Sequence, residues 1–330
     1  MKGEELKTVG QAETVGKSAV GGVLPLTPHP SPLTPFKGEL RANEPTARHV
    51  SWRTGGAVAK AYFPADLADM AAFMGQLRTD EPLLLVGLGS NLLVRDGGFA
   101  GTVIFTHGLL SGLKLEEDGR IYVEAGVASP KLARFAANNA LGGAEFLAGV
   151  PGTFGGALAM NAGCYGGETW NLVDKVLTVN RKGVLTERTP EEFAIGYRHV
   201  GLKAACDEWF AAAWLKLPAG DGEASKAQIK AWLDKRAQTQ PLALPNAGSV
   251  FRNPPDDHAA RLIQAVGLKG CTIGGAQVSE KHANFIVNAE GKASAADIEA
   301  LILHVQTAVK AKFGIELVRE VRIVGEKREG

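Results

Sequence analysis

From Arg41 onward the apolar and polar positions fall into short patterns that name one element after another. The run Leu83 to Val86 is wholly apolar and bounded by turn residues, which predicts a buried strand. It runs straight into Gly87-Leu88-Gly89-Ser90-Asn91. Before it, Gly55-Gly56 makes a turn that feeds a strand ending at Pro64, and Leu67, Met70, Ala71, Met74 and Leu77 recur at helical spacing. After it, a strand covers Gly101 to Phe105 beyond the turn Asp96-Gly97-Gly98, and IYVEAG is another short strand. Ser129 as N-cap, with Pro130 at the first helical position, opens a helix that stops near Gly142-Gly143. LVDKVLTVN and GVLTERT, split by Arg181-Lys182-Gly183, read as a hairpin. FAAAWLKLP is one more strand, and Ala224 to Gln238 is a charged amphipathic helix.

The last hundred or so residues pattern as a compact α+β unit. Asp256 and Asp257 are positioned to cap a helix running through Val266, and TIGGAQVSEKHANFIVN holds a turn and a strand. Ser294 and Asp297 are spaced as a capping box, in which each side chain satisfies the other residue's free backbone N–H. They precede an apolar stripe of Ile298, Leu301, Ile302, Val305, Ala308, Val309 and Phe313, and Gly314 ends that helix. In the closing IELVREVRIVG a period of two puts Ile315, Leu317, Val321 and Ile323 on one face, and Glu316, Glu320 and Arg322 on the other. Glu320 thus points away from its own unit's core, either to water or to another unit. At the other end, Pro25, Pro28, Pro30, Pro32 and Pro35 forbid a helix and weaken any strand. Residues 1–36 are expected to be a disordered tail, with a Pro-rich docking peptide as the alternative.

Composition narrows the classes. A chain of 330 residues has room for two or three domains with sizeable cores. The net charge of +1 gives no general attraction to polyanions, so no nucleic-acid partner is expected. No run is apolar for long enough to span a bilayer, which excludes membrane insertion by a helix. Cys164, Cys206 and Cys271 lack CxxC spacing and argue against a disulfide framework or a zinc site. With MKGEELKTVG offering no apolar signal core, a cytoplasmic location is expected. No His, Cys and carboxylate spacing suggests a metal, and no obligate protein partner is evident.

The chemistry concentrates in Glu145 to Glu168, EFLAGVPGTFGGALAMNAGCYGGE. Dense glycine among Phe146, Leu147, Phe154, Leu158 and Met160 points to backbone pressed against a ligand rather than to a free loop. The turn at Gly87 and Gly89 follows a strand, as phosphate-binding turns do. It is not the dinucleotide fingerprint, because Leu92 stands where the third glycine belongs, and no Gly-Lys-Ser/Thr marks a P-loop. Read from the residues alone, Arg198 after Tyr197 is a solvated surface residue, although its planar fork would also suit a carboxylate. Ser249 sits among turn residues without a histidine partner or a G-x-S-x-G frame, so nothing marks it as a nucleophile.

Four stretches, SWRTGGAVA, VGLGSNLLVRDGGFAGTVI, the Glu145 to Glu168 segment with the later GYRH, and NAGSVFRNP with the terminal REVRIVG, together resemble one family. It is the UDP-N-acetylenolpyruvoylglucosamine reductases of peptidoglycan synthesis, in the branch lacking an insertion that bears a substrate-binding tyrosine. The stretches occur in the family's order over about residues 41 to 325. The resemblance implies an α+β fold: a two-subdomain FAD-binding unit like that of vanillyl-alcohol oxidase over 37–220, divided near 107, and a substrate-binding unit over 221–330. It implies non-covalent FAD, NADPH as co-substrate and a UDP-sugar substrate. It carries Gly87, Gly89, Ser90 and Asn91 onto the first flavin loop, and Gly152, Thr153, Gly156, Asn161 and Gly163 onto the second. Ser249, Arg198 and Glu320 fall on the catalytic positions, and Tyr197 and Asn253 lie near the substrate. Val318-Arg319 replaces the Glu-Pro often found before the final Glu-Val-Arg. Rival expectations are an alcohol or sugar oxidase on the same scaffold, with Cys164 as a point of covalent flavin attachment, or a non-catalytic flavin- or UDP-sugar-binding module.

Overall fold

The computed structural model describes residues 36–328 apart from Ala205. The Pro-rich segment through Pro35 lies outside the described residues. Phe36, placed in the tail by its neighbours' composition, packs edge-on against Tyr62 and Phe73, with ring centroids 6.0 and 5.2 Å away.

The first unit comprises β1 (Glu39–Pro45), β2 (Ala57–Phe63), α1 (Leu67–Met74), β3 (Leu83–Val86), β4 (Leu92–Val94) and β5 (Phe99–Phe105). Four of these strands form one sheet in the order β1-β2-β5-β3. The β1 edge is antiparallel, whereas β5 runs parallel to both β2 and β3. Asp66 caps α1 by accepting from the Asp69 N–H at 2.7 Å. The helix seals its apolar stripe, Met70 and Met74, against Tyr62 and Ile104.

The second unit comprises β6 (Leu113–Leu115), β7 (Ile121–Glu124), α2 (Ser129–Asn138), α3 (Phe154–Met160), β8 (Gly163–Cys164), β9 (Gly167–Glu168), β10 (Val173–Asn180), β11 (Leu185–Arg188), β12 (Phe193–Gly196), β13 (His199–Leu202) and β14 (Glu208–Leu215). Its main sheet has the order β11-β10-β14-β7-β6, all antiparallel. Ser129 is the first residue inside α2 rather than its cap; Ala128 holds the cap position, Pro130 is second, and the buried Ser129 hydroxyl has no partner among the described residues. The next helix, α4 (Gly222–Thr239), packs Ile229, Trp232 and Leu233 into this same core, beyond the boundary expected at residue 220.

The remaining elements are α5 (Ala259–Ala265), β15 (Thr272–Ile273), β16 (Ala276–Val278), β17 (Ile286–Val287), α6 (Ala295–Phe313) and β18 (Arg322–Val324). The Ser294/Asp297 capping box and the left-handed Gly314 stop (φ 70°) bound α6 as expected. The N-cap of α5 is His258, and Asn253 Oδ1 accepts from Ala259 N at 3.1 Å; Asp257 instead pairs with Arg261. The expected long terminal strand shrinks to β18, because the chain leaves the third unit there to run parallel to β4 of the first. Leu317 and Val321 stay buried while Ile315 and Ile323 are only partly so.

The third unit is fastened to the first by groups that neither could satisfy alone. Trp52, fully buried in the third unit's core, donates its indole N–H to Ile286 O at 2.8 Å. A large aromatic side chain so buried contributes about 3–5 kcal/mol relative to alanine. Asp96 accepts from Ala295 N and Ala296 N at 3.0 and 2.8 Å, adding a second cap to α6 from another unit. Arg95 grips Glu299 with two hydrogen bonds of 2.8 and 2.9 Å. These contacts fix the turn at Gly87 to Asn91 relative to the C-terminal segment. Among the described residues no helix is long and apolar enough to cross a membrane.

Candidate active site

The two glycine-rich turns meet back to back. Gly89 has φ 62°, and a Cβ there would lie 2.8 Å from Val50 Cα. A Cβ on Gly87 would strike the Thr153 side chain. Gly152, with φ 106°, would place a Cβ 2.6 Å from Ser90 Oγ. Only glycine permits both that backbone and that approach. Ser90 Oγ donates to Pro151 O at 3.2 Å, closing the junction. By contrast a Cβ on Gly156 would meet nothing nearer than 3.9 Å, so this glycine faces free space rather than packed protein. The junction opens onto a cavity of about 410 Å³, whose wall includes Gly87, Ser90, Pro151 and Gly248. That volume lies within the range of small-molecule sites, roughly 300–1,000 Å³. A cradle made of peptide N–H groups with side chains excluded fits the diphosphate of a flavin dinucleotide.

Arg198 does not lie on a solvated surface. The segment around it is a two-residue hairpin joining β12 to β13, with Tyr197 and Arg198 at the turn. Arg198 adopts φ 54°, which L-residues with long side chains rarely do. The structure holds it there through its side chain. Nη2 donates to Gly163 O at 3.0 Å and Nη1 reaches Asn161 O at 3.5 Å. Nε lies 2.9 Å from Glu320 Oε1, and the two side chains are only 19% and 14% exposed. The pair is close but poorly aligned, so Nε has no true hydrogen-bond partner. Glu320 thus faces another unit, which settles the choice that periodicity left open.

Burial raises the Glu320 carboxyl above its ordinary range, against the opposing pull of Arg198 and, more weakly, Arg252. Desolvation disfavours the charged carboxylate, and here it outweighs two cations. The Glu320 backbone is pinned on both sides: its carbonyl accepts from Asn91 Nδ2 at 3.1 Å, and its N–H donates to Val250 O at 2.8 Å. Asn91 therefore links the first glycine turn to the C-terminal segment.

Ser249 precedes Val250 and follows Gly248, whose φ is 72° and whose N–H donates to Asn246 Oδ1 at 2.9 Å. This Asx turn and the Val250–Glu320 bond bring Ser249 and Glu320 onto adjacent backbone. Ser249 is half-buried, and its hydroxyl makes no hydrogen bond to other described residues, leaving it free to donate to a ligand. Asn161 is 2% exposed, in the left-handed region at φ 43°. Its side chain is engaged with Glu168 Oε2 at 2.9 Å and Trp170 N at 3.1 Å. Thr153 is 3% exposed. Tyr197 is 51% exposed, and Asn253 is exposed with its oxygen committed to α5; among the described residues neither hydrogen-bonds to Glu320. The Cys164 thiol donates to Phe146 O at 3.1 Å, and burial pushes its pKa up to about 11. A protonated, engaged thiol is a poor nucleophile, which counts against covalent flavin attachment there.

Arg236 on α4 also lines the cavity, and the residue pattern had identified it only as part of a charged helix. The signal was present: Ser225, Ile229, Trp232 and Arg236 share one helical face, and the first three are buried or half-buried. An arginine continuing a buried stripe needs a reason.

The chain matches two family models: "FAD binding domain" over residues 58–188, and "UDP-N-acetylenolpyruvoylglucosamine reductase, C-terminal domain" over 240–324. It is 56% identical to the UDP-N-acetylenolpyruvoylglucosamine reductase of Thiobacillus denitrificans, covering 89% of this chain and 94% of that protein. The enzyme of the same name from Legionella pneumophila is also 56% identical, over 90% of this chain and 96% of its own. The crystal structure of UDP-N-acetylenolpyruvylglucosamine reductase from Thermus caldophilus superposes with a TM-score of 0.72 at 30% identity, over 87% of this chain and 98% of that one.

Proposed function

This chain belongs to the family of UDP-N-acetylenolpyruvoylglucosamine reductases, FAD-dependent oxidoreductases that act on a UDP-sugar, and we propose that it reduces UDP-N-acetylglucosamine enolpyruvate to UDP-N-acetylmuramate with NADPH, in peptidoglycan precursor synthesis. The observation that carries the catalytic assignment is the largely buried Arg198–Glu320 pair, held between the second glycine loop and the backbone of Val250, the neighbour of Ser249.

The proposed division gives 37–220 to the cofactor and 221–330 to the substrate, with α4 lying on the cofactor unit's core. Gly87, Gly89, Ser90, Asn91, Gly152, Thr153, Gly156, Asn161 and Gly163 would hold FAD, chiefly through backbone groups. When bound, FAD supplies two-electron chemistry, relaying hydride from NADPH to the methylene carbon of the enolpyruvyl ether. Negative charge then develops on the neighbouring carbon and spreads into the carboxylate. Arg198 stays charged and offers a planar fork, so it can bind that carboxylate and stabilise the developing charge. Its fixed position costs no reorganisation during reaction. Glu320, whose carboxyl burial pushes toward the neutral form, can donate a hydrogen bond to the same oxygens. Ser249 delivers the final proton. Serine is too weak an acid for most acceptors, but a carbanion is basic enough to take its proton. Tyr197, beside Arg198 with the guanidinium carbon 5.3 Å from its ring, and Asn253 are the proposed contacts to the sugar nucleotide.

Ser249→Ala tests the assignment. With NADPH under anaerobic conditions, the variant's flavin absorbance is expected to bleach at the wild-type rate. On addition of the enolpyruvyl sugar nucleotide it should fail to return. Full turnover by this variant would remove Ser249 from the mechanism.

A further inference from the structure

The walls of the 410 Å³ cavity carry Arg48, His49, Arg53, His107 and Arg236, and no Asp or Glu. A cleft lined by one sign of charge concentrates its counter-ion. Within the set Arg236 differs from Arg48, Arg53 and His107, which are exposed, and from His49, which pairs with Glu44 at 2.8 Å. Arg236 is half-buried, and the ionisable groups that act on it are the Cys164 thiol and the Tyr165 phenol, not a carboxylate. Its Nε is spent on Gln240 Oε1 at 2.8 Å, one turn on, which aims the fork without neutralising it. Desolvation accordingly drags its pKa below the ordinary arginine value. A desolvated cation with no acid is a cost to the folded chain unless something else supplies the anion.

We propose that Arg236 binds a nucleotide diphosphate in this cavity, and that the diphosphate is the flavin's, because the same cavity is lined by Gly87, Leu88 and Ser90 of the first glycine turn. The assignment rests on reading that turn as part of the cofactor site. It adds to the two glycine loops a third element, a helix outside both, whose side-chain charge completes a cradle otherwise built from backbone.

The test is Arg236→Gln, with Arg236→Lys and the exposed neighbour Lys235→Gln as comparisons. FAD is removed and re-added, and its dissociation constant is read from flavin fluorescence. Losing a charge-assisted bond to phosphate is expected to weaken FAD binding about ten- to a hundredfold. Arg236→Lys, keeping the charge but not the fork, should fall in between, and Lys235→Gln should stay within about twofold of wild type. Melting temperature separates this role from a structural one. Without FAD, Arg236→Gln should melt no lower than wild type, since it removes an unpaired cation; with FAD, it should melt lower. Unchanged FAD affinity with at least tenfold weaker binding of the UDP-sugar, seen as loss of its perturbation of the flavin spectrum, would overturn the flavin assignment and give Arg236 to the substrate diphosphate. No change in either affinity, or a lower melting temperature without FAD, would overturn the proposal altogether. Failure of the wild-type chain itself to take up FAD would overturn the reading of the glycine turns, and this inference with it.

Discussion

Two arginines are held under opposite conditions. Arg198 is held by an acid and two carbonyls, whereas Arg236 is held by one amide, with no acid among the described residues. The difference follows from what each charge is needed for. A guanidinium that must meet a charge appearing only in the transition state has to be in place beforehand, and the fixed partners of Arg198 keep it there. A guanidinium that binds a permanently charged diphosphate is best left uncompensated, because the ligand provides the missing charge. The first arrangement favours rate and the second favours affinity, so substitutions at the two sites should separate.

The largest break in that comparison comes from Arg198→Lys. Lysine keeps the charge but cannot span Gly163 O, Asn161 O and Glu320 at once. Removing one preorganised donor of this kind typically costs about 10²–10³ in rate. Stopped-flow reoxidation of the reduced flavin by the sugar nucleotide should slow by that factor, while FAD affinity stays at the wild-type level. Equal loss in both would mean that Arg198 shapes the cofactor site and that the separation is false.

A smaller effect is expected where the two glycine turns touch. Gly152→Ala places a methyl against Ser90 Oγ in a backbone with φ 106°. Strain of this sort costs about 1–3 kcal/mol. It should appear as less FAD per purified chain and a lower melting temperature, with turnover per bound flavin little changed. A variant that keeps full flavin and full stability would show that the junction is looser than its packing indicates.

How legible each region was in the residues follows the range of its interactions. The strand Leu83–Val86 and the helix from Ser294 to Gly314 were readable because each is set by neighbours within a few positions. The hairpin presenting Arg198 was not, because its strands are four residues long and its turn is Tyr-Arg, without the glycine or asparagine that a positive φ usually selects. Its partner, Glu320, lies in another unit, and alternation could say only that it turned away from its own core. Ser249 drew attention through resemblance rather than pattern; a turn serine whose neighbour's carbonyl holds Glu320 leaves no mark in local sequence. Arg236 could have been found by asking why a buried helical stripe ends in a charge. The three-unit architecture likewise depends on long-range fastenings such as Trp52 to Ile286 and Asp96 to α6, which no period announces.

The smallest expected effect sharpens the comparison at its acid. If the Glu320 carboxylate were simply the counter-charge of Arg198, its pKa would be depressed; burial instead raises it. The folded chain then keeps this proton to higher pH than the unfolded chain, whose carboxyl titrates near 4.5. The stability this group contributes is present in full below that value and is lost as pH rises through the higher folded value. Glu320→Gln has no such proton, and the cost of leaving Arg198 without an acid is a constant offset, since arginine as a residue type keeps its charge over this range. The melting temperature of Glu320→Gln minus that of wild type, both without FAD, should therefore increase as pH is raised from below 4.5 toward neutrality. A difference that decreases over the same range would mean that the ion pair outweighs burial. Glu320 would then enter the reaction charged, positioning Arg198 instead of donating a hydrogen bond to the substrate.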